Sequence, residues 1–289
     1  MNKAVVITGT NGFIGRALAE RFIKNGWKVY ALQRKSEEST GQRKIIHYSI
    51  NQAFDEAAIQ DIHLLIHCAW QPFSSKEPDA DTINFEGTRK LQQFAHQKGA
   101  KFIFISTLSA HADVASHYGL NKLKTENLID NNKNLTLKLG LVIGNEGGLF
   151  QKIAAIIRKS KFIPMVDGGR QPMQTIWMED LFSVIIKSYE TNLCGNYAVA
   201  ENNPITMREL YQLIANQKKA KPIFFSIPYQ LVYVVMRIPE ILHLPLGLTT
   251  ENLKGLKQLK AFDTATIQAK LKLSFSTAKE TIEKVCQGQ

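Results

Sequence analysis

The 289-residue chain has few cysteines, no unbroken long apolar run and fewer acidic than basic side chains. Its three cysteines, Cys68, Cys194 and Cys286, show neither a CxxC pair nor a Cys/His spacing. We therefore expect reduced thiols, no disulfide framework and no metal site. The apolar start at residues 4–7 is too short for the core of a signal peptide. The expected lack of disulfides and of a signal-peptide core together predict a cytoplasmic protein.

The longest apolar stretch, residues 227–248, is interrupted by three prolines and carries Arg237 and Glu240. It falls short of a membrane-spanning helix, so we expect it either to contact a membrane surface or to cap a substrate pocket. The formal charge of +11 suits anionic ligands. No Arg-rich or aromatic-interleaved patch accompanies it, so we expect no nucleic-acid partner.

Short β-rich apolar runs alternate with helical patterns over the first half of the chain, which predicts βαβ units and a parallel sheet. The amphipathic spacing predicts a first helix that ends at Asn25-Gly26, and later helices at residues 87–97 and 118–130. The predicted strands are residues 4–8, 28–32, 44–49, 63–67, 101–106 and 135–143.

This alternation stops after Gly144. We therefore predict a nucleotide-binding domain at residues 1–145, with a strand near 196–200 returning to its sheet. Residues 146–195 and 201–289 are predicted to form a smaller substrate-binding lobe, with helices starting near Thr206 and Thr277.

The run Thr8-Gly-Thr-Asn-Gly-Phe-Ile-Gly15 follows the first strand and opens a helix. Its glycines, Gly9, Gly12 and Gly15, allow a tight turn and a close approach of a pyrophosphate to the N–H groups at the helix start. A purely structural turn needs glycines too. The position between strand and helix favours dinucleotide binding and a Rossmann-like, doubly wound α/β domain.

The end of the second strand reads Leu32-Gln33-Arg34-Lys35, with two cations and no acid. An acid there would bind a free ribose 2′-hydroxyl, whereas a cation accommodates a 2′-phosphate. Arg34 and Lys35 therefore favour NADP(H) over NAD(H). The alternative is a solvated basic loop.

Tyr118 and Lys122 have the i, i+4 spacing that places two side chains on one helical face. We predict that the charge of Lys122 lowers the pKa of Tyr118 from its usual value of about 10. Tyr118 would then act as an acid or base during hydride transfer at an alcohol or keto centre. Hydroxyl side chains from Ser106 to Ser109 follow a strand, at the sheet edge where ligands bind, although such hydroxyls can also cap backbone groups.

These motifs together resemble the extended short-chain dehydrogenase/reductase family, the NAD-dependent epimerase/dehydratase group, over roughly residues 3–200. The resemblance implies that Thr107 orients the substrate oxygen and that Lys122 also binds the nicotinamide ribose. It implies a homodimer through the helices starting near Gly87 and Tyr118. The cofactor contacts that it implies are Gly9, Asn11, Gly12, Phe13, Ile14, Gly15, His67, Ala69, Asn84, Tyr118 and Lys122.

The sequence departs from the family pattern at several positions. Lys138-Leu139 replaces a common Arg-Pro, and an acid after the third strand is replaced near Ser49. Trp70 stands where a small residue is common and is predicted to narrow the pocket. Met173 or Gln174 occupies the place of an arginine that pairs with the substrate pyrophosphate in nucleotide-sugar epimerases.

We therefore predict an NAD(P)-dependent oxidoreductase or epimerase that acts on a small molecule, a nucleotide-linked sugar or a related intermediate. The alternative is a non-catalytic NAD(P)-binding sensor or assembly factor that docks through residues 227–248. The presence of Thr107, Tyr118 and Lys122 favours the enzyme, because a binding protein has no chemical need for all three.

Overall fold

The computed structural model describes residues 3–35, 38–73, 78–241 and 250–287. Its strands are β1 (Ala4–Thr8), β2 (Lys28–Gln33), β3 (Arg43–His47), β4 (Leu64–His67), β5 (Lys101–Thr107), β6 (Leu135–Leu139), β7 (Leu141–Ile143), β8 (Phe162–Val166), β9 (Pro172–Met173), β10 (Thr175–Trp177), β11 (Gly195–Val199), β12 (Ile205–Thr206) and β13 (Ile223–Ile227). Its helices are α1 (Phe13–Lys24), α2 (Ala80–Gln97), α3 (His117–Glu126), α4 (Gly148–Lys159), α5 (Met178–Glu190), α6 (Met207–Gln217), α7 (Tyr229–Ile241), α8 (Thr250–Lys257), α9 (Ala265–Leu271) and α10 (Ala278–Gln287).

A parallel sheet with the order β11-β6-β5-β4-β1-β2-β3 forms the centre of the molecule. β1 is buried along its length, and apolar up to Thr8, because helices cover both faces of the sheet. Val5 and Ile7 pack with the layer of α1, α5 and α9, whereas Ala4 and Val6 pack with the layer that contains α2. The predicted Rossmann-like doubly wound fold is confirmed.

The predicted single strand at residues 135–143 is wrong, because the chain changes sheet at Gly140. β6 stays in the main sheet, whereas β7 pairs with β10 in a small second sheet. A Cβ at Gly140 would lie 2.4 Å from the carbonyl oxygen of Gln174, so the crossing needs glycine.

Two helix boundaries also differ from the prediction. α2 begins at Ala80 rather than near residue 87, because its first turns are mostly polar and show no apolar period. α3 ends at Glu126 rather than at residue 130, and the Leu128 N–H donates to the Thr125 carbonyl in the turn that follows.

A second core lies between α4, β8, α6 and α10. α5 and α9 were assigned to the smaller lobe from the sequence, yet both pack with α1 on the main sheet. β11 pairs with β6 at the edge of that sheet. The division into two lobes stays a prediction. Helices from both predicted lobes pack in one layer, because α5 and α9 lie beside α1.

Glu201, which follows β11, ties the second core to the sheet. Its side chain is buried, and Oε1 accepts hydrogen bonds from the backbone N–H of Thr175 at 3.2 Å and from the hydroxyl of Thr175 at 2.8 Å. Oε2 accepts from the N–H of Ala278, the first residue of α10, at 2.8 Å. One carboxylate thus joins β10, β11 and α10.

We expect Glu201→Ala to lower the free energy of unfolding by about 2 kcal/mol, because it leaves buried donors without an acceptor. Urea unfolding followed by circular dichroism measures the change. Glu190→Ala is the control: it removes an exposed carboxylate paired with Lys187 and should cost less than about 0.5 kcal/mol. Equal losses in the two variants would contradict the role of Glu201.

The apolar stretch 227–248 forms the end of β13 and α7, while residues 242–249 lie outside the described part. The predicted pocket cap or membrane contact thus falls partly on residues that the structure does not describe. Within the described ranges, no helix has both the length and the apolar character that a bilayer crossing requires.

Candidate functional site

The loop between β1 and α1 is shaped by its glycines. Gly9 has φ +71°, and a Cβ there would lie 2.8 Å from the backbone nitrogen of Ala69. A Cβ on Gly15 would lie 2.5 Å from the carbonyl oxygen of Gly9. The loop therefore packs against the segment after β4 with no room for side chains.

The start of α1 is open to an anion. Gly12 is its N-cap residue, no side chain among the residues that the structure describes caps the first turn, and no acid lies in that turn. The N–H groups of Phe13, Ile14 and Gly15 are therefore available to donate hydrogen bonds to an anionic ligand at the positive end of the helix dipole. The ring of Phe13 packs beside Gly144, so it anchors this helix start against the loop after β7.

A cavity of about 420 Å³ opens beside this loop, at the carboxyl edge of the sheet. Its wall contains five of the predicted cofactor residues: Gly9, Asn11, Gly12, Arg34 and Ala69. The other wall residues are ones for which the motifs predict no cofactor contact: Leu32, Gln33, Tyr48, Ser49, Ile50, Gln52, Cys68, Trp70, Gln71 and Ile83. Both predicted cations are exposed, but only Arg34 lines the cavity. The backbone N–H of Lys35 donates to Asn11 Oδ1 at 3.1 Å.

Gln33, the last residue of β2, takes the place where an acid would bind a ribose. Its Oε1 accepts from the Thr10 hydroxyl at 2.7 Å and from Arg43 Nη2 at 3.1 Å. Its Nε2 donates to the carbonyl of Lys35 at 2.9 Å. The sequence showed that an acid is missing, but only the structure shows that the amide of Gln33 holds the glycine loop against β2.

His67 is buried behind the loop, with both ring nitrogens hydrogen-bonded. Thr8 Oγ1 accepts from the N–H groups of Cys68 and Ala69, so it donates to His67 Nδ1 at 2.8 Å. Nε2 then donates to Thr88 Oγ1 at 3.0 Å, while Thr88 donates to a backbone carbonyl. Burial, assisted by the charge of Lys122, lowers the pKa of His67 to about 3, so the ring is neutral.

The predicted cofactor contacts of His67 and Asn84 stay predictions, and both side chains support the cavity from behind. Asn84 is buried on α2 and bonds Gln71 twice: Oδ1 accepts from its N–H and Nδ2 donates to its carbonyl, each at 2.8 Å. Gln71 lies in the cavity wall. Asn84 therefore fixes the loop after β4.

Trp70 connects the cavity to the predicted catalytic pair. It lines the cavity wall, as expected of a large residue that narrows the pocket. The ammonium of Lys122 lies over its ring, 3.8 Å from the centroid. The ring of Tyr118 meets it edge-on, with the centroids 6.3 Å apart.

Lys122 is buried beneath Trp70. Its Nζ donates to the carbonyl of Ile105 at 2.9 Å and lies 4.6 Å from the ring centroid of Phe104. Burial lowers the pKa of Lys122 to about 7, although Cys68 and Glu126 act in the opposite direction. The ammonium group is thus held by a carbonyl and two aromatic faces.

Tyr118 lies at the start of α3, where Ser116 caps the helix. The residue is 48% exposed, but the protein around its hydroxyl raises the pKa to about 12 by burial. The prediction that Lys122 lowers this pKa is wrong, because the ammonium points to Ile105 and Trp70 instead. The phenol of Tyr118 is therefore protonated at neutral pH.

The strand-end hydroxyls of β5 have separate partners. Thr107 Oγ1 accepts from the N–H of Ser109 at 3.2 Å, so the hydroxyl that caps a backbone group is that of Thr107 rather than that of Ser106 or Ser109, for which capping was the stated alternative. Ser106 donates to Glu126 Oε1 at 2.5 Å, and Glu126 Oε2 pairs with Lys138 at 3.2 Å. Thr107 is half-buried, whereas Ser106 belongs to a buried ion-pair network.

The side chain of Gln174, at the predicted pyrophosphate position, is hydrogen-bonded to backbone groups at both ends of its amide. Its Nε2 donates to the carbonyls of Glu201 and Phe262, and its Oε1 accepts from the N–H of Phe262 at 2.8 Å. Met173 lies in β9, paired with Ile205 of β12. Neither residue offers a cation for a nucleotide-sugar pyrophosphate.

Comparison with protein families gives a match over residues 5–194 to the NAD dependent epimerase/dehydratase family. Among curated proteins, subunit 9 of the NADH dehydrogenase [ubiquinone] 1 alpha subcomplex from Arabidopsis thaliana mitochondria is 20% identical, over 93% of this chain and 72% of its own. CDP-abequose synthase from Salmonella muenchen is 25% identical, over 75% of this chain and 81% of its own.

Solved structures with the same fold include the human epimerase family protein SDR39U1 with NADPH, with a TM-score of 0.77 and 14% identity over 99% of this chain and 100% of that one. UDP-N-acetylglucosamine 4-epimerase from Bacillus cereus has a TM-score of 0.72 and 16% identity, over 99% of both chains. At such identities the likeness concerns the fold.

Proposed function

Because this chain belongs to the NAD dependent epimerase/dehydratase family, we propose that it is an NADP(H)-dependent reductase that converts a carbonyl group of a small molecule to an alcohol. The observation that carries this proposal is the accessible Tyr118 beside the cavity wall. Its pKa of about 12 keeps the phenol protonated, as an acid in carbonyl reduction must be.

The site fits a dinucleotide. The space that side chains on Gly9 and Gly15 would fill, and the uncapped start of α1, suit a pyrophosphate. Tyr48, Ser49 and Ile50 of the wall would surround the adenine end, and Arg34 would meet a 2′-phosphate. When bound, the nicotinamide supplies the hydride.

Arg34→Ala is expected to weaken NADPH binding about thirty-fold, because a charge-assisted hydrogen bond to phosphate is worth about 2 kcal/mol. NADH has no 2′-phosphate, so its affinity should hardly change. Titration calorimetry with both dinucleotides measures the difference. Lys35→Ala, which removes the neighbouring cation outside the cavity wall, is the control. Equal losses for NADPH and NADH would contradict the preference for NADP(H).

The chain's own residues have distinct parts in the proposed reduction. Tyr118 donates its proton to the substrate oxygen as that oxygen gains negative charge, and Thr107 orients the same oxygen. The side-chain nitrogen of Lys122 lies over the ring of Trp70. Because its pKa is about 7, this group carries a positive charge below pH 7 and loses its proton above it. Trp70 limits the width of the pocket on this side.

For the substrate class, we propose a nucleotide-linked sugar or a related keto intermediate. The relatives named above support this class, whereas the engaged Gln174 leaves the usual pyrophosphate position without a cation. The test is NADPH oxidation with a panel of keto-sugar nucleotides and simple ketones, with 4-deuterated NADPH. Deuterium on the new carbinol carbon would support the reaction, and no transfer to any member of the panel would contradict the substrate class.

A non-catalytic NAD(P)-binding role is the second candidate. It is favoured by the hydrogen bond that commits Lys122 to the Ile105 carbonyl, and by the similarity to the Arabidopsis subunit over most of the chain. In that role the cavity would bind the dinucleotide and Tyr118 would do no chemistry.

We also propose a homodimer through α2 and α3. A groove between these helices is lined by Asp81, Phe85 and Asn121, and Leu120 is exposed beside it. The cytoplasmic location stays a prediction from the three free cysteines.

A further inference from the structure

β8 and β13 form a two-stranded parallel ribbon with an uncovered apolar face. The register places Ile223 opposite Phe162, and Phe225 opposite Pro164. Phe162 is 57% exposed, Ile223 51% and Phe225 42%. Four adjacent apolar side chains therefore face outward together.

The other face of the ribbon packs on the second core through β8, while on β13 Phe224 is half-buried and Ser226 is exposed. Ile163 and Met165 alternate with the exposed residues of β8 and are buried in the second core. Parallel strands almost always have both faces covered. An exposed apolar patch of this kind marks an interaction surface.

One end of the same ribbon is basic. Because β8 and β13 run parallel, the residues that precede them lie at the same end, and both approaches are rich in cations. These cations are Arg158, Lys159 and Lys161 before β8, and Lys218, Lys219 and Lys221 before β13. The sequence has no acid from residue 147 to 166 or from 210 to 239, so both segments are basic in sequence.

The helix after the ribbon repeats the apolar pattern. Leu231, Val234 and Val235 are exposed at i, i+3 and i+4 along α7. The N–H of Tyr229 donates to Asp167 Oδ1 at 2.9 Å, which fixes the start of α7 at the carboxyl end of the ribbon. The exposed apolar surface thus continues along the chain.

We propose that the outer face of the β8–β13 ribbon docks on a membrane surface containing anionic phospholipids. Its aromatic and aliphatic side chains would enter the headgroup region while the cations at its end meet lipid phosphates. A second copy of this face fits poorly, because a two-fold contact would bring the basic ends of two ribbons close together. The proposal is independent of the reductase function.

The experiment is co-sedimentation of the full chain with vesicles of phosphatidylcholine alone or with about 30 mol% phosphatidylglycerol, enough to give a negative surface potential. Binding only to the anionic vesicles is expected. Lys161→Gln with Lys221→Gln should weaken it about thirty-fold, since each basic side chain near the surface contributes about fivefold. Phe162→Ser with Phe225→Ser should also weaken vesicle binding. At high salt the serine variants should keep more of their binding defect than the glutamine variants, because salt screens charge but not apolar contact.

Lys24→Gln with Lys90→Gln is the matched control, because it removes the same charge from helices of the main sheet. Thermal melting checks that every variant is folded. Equal binding by the ribbon and control variants, or no binding by the native chain, would overturn the proposal. So would a serine variant that changes a dimer into a monomer in ultracentrifugation but binds vesicles like the native chain, because the face would then be a protein interface.

Discussion

Tyr118→Phe is expected to lower kcat about a thousand-fold, within the range that a positioned general acid contributes. The loss follows from the structure because Tyr118 is 48% exposed and its phenol is protonated, while neighbouring Lys122 is bound to a backbone carbonyl. NADPH affinity should stay within about two-fold, because the variant keeps the ring that packs on Trp70. Steady-state kinetics and calorimetry on the same preparation measure both quantities.

Tyr211→Phe serves as the control, since it removes a phenol hydroxyl from the second core, outside the site. If both variants keep the native kcat, Tyr118 is not the acid. If the native chain binds dinucleotide tightly yet turns over none of the keto substrates, the non-catalytic candidate gains the support that the reductase loses.

Lys122→Met is expected to abolish a pH dependence of stability that the native chain shows. Burial lowers the pKa of Lys122 to about 7, whereas an unfolded lysine titrates near 10.5. Between these values the unfolded chain binds more protons, so the free energy of unfolding rises with pH. From pH 7 to 9 the rise attributable to this residue is about 2 to 3 kcal/mol.

Urea unfolding of both proteins at several pH values measures this rise. The difference between native and variant curves isolates Lys122 from the other titrating groups, and methionine preserves the apolar packing under Trp70. Below pH 7 the variant should be the more stable protein, because the native chain there retains a buried ammonium group. Parallel curves for the two proteins would contradict the burial of the charge.

The predictable parts of this molecule are those that local sequence dictates. The Gly9-to-Gly15 loop and the apolar run of β1 were recognisable because a tight strand-to-helix turn and a buried strand each demand particular residues in sequence. The apolar pattern predicts one strand through Gly140, because nothing in the local sequence signals that the Gln174 carbonyl approaches there.

The electrostatics of the site were not predictable from spacing. Tyr118 and Lys122 share a helical face, and that spacing suggested mutual contact. The structure places Trp70 and the Ile105 carbonyl at the lysine, and both come from other strands or their loops. The contacts of a long side chain thus depend on groups far away in sequence. Because the Lys122 ammonium binds Ile105 and Trp70, burial raises the pKa of Tyr118 instead of Lys122 lowering it.

The hydroxyl of Thr8 has a consequence for how the protein is made. Its partners, His67 and the N–H groups of Cys68 and Ala69, lie 59 to 61 residues further along the chain. His67 in turn needs Thr88 on α2. During synthesis the glycine loop therefore emerges long before the groups that order it, and contacts so distant in sequence form slowly. We therefore expect the supports of the glycine loop to be complete only after α2 has left the ribosome.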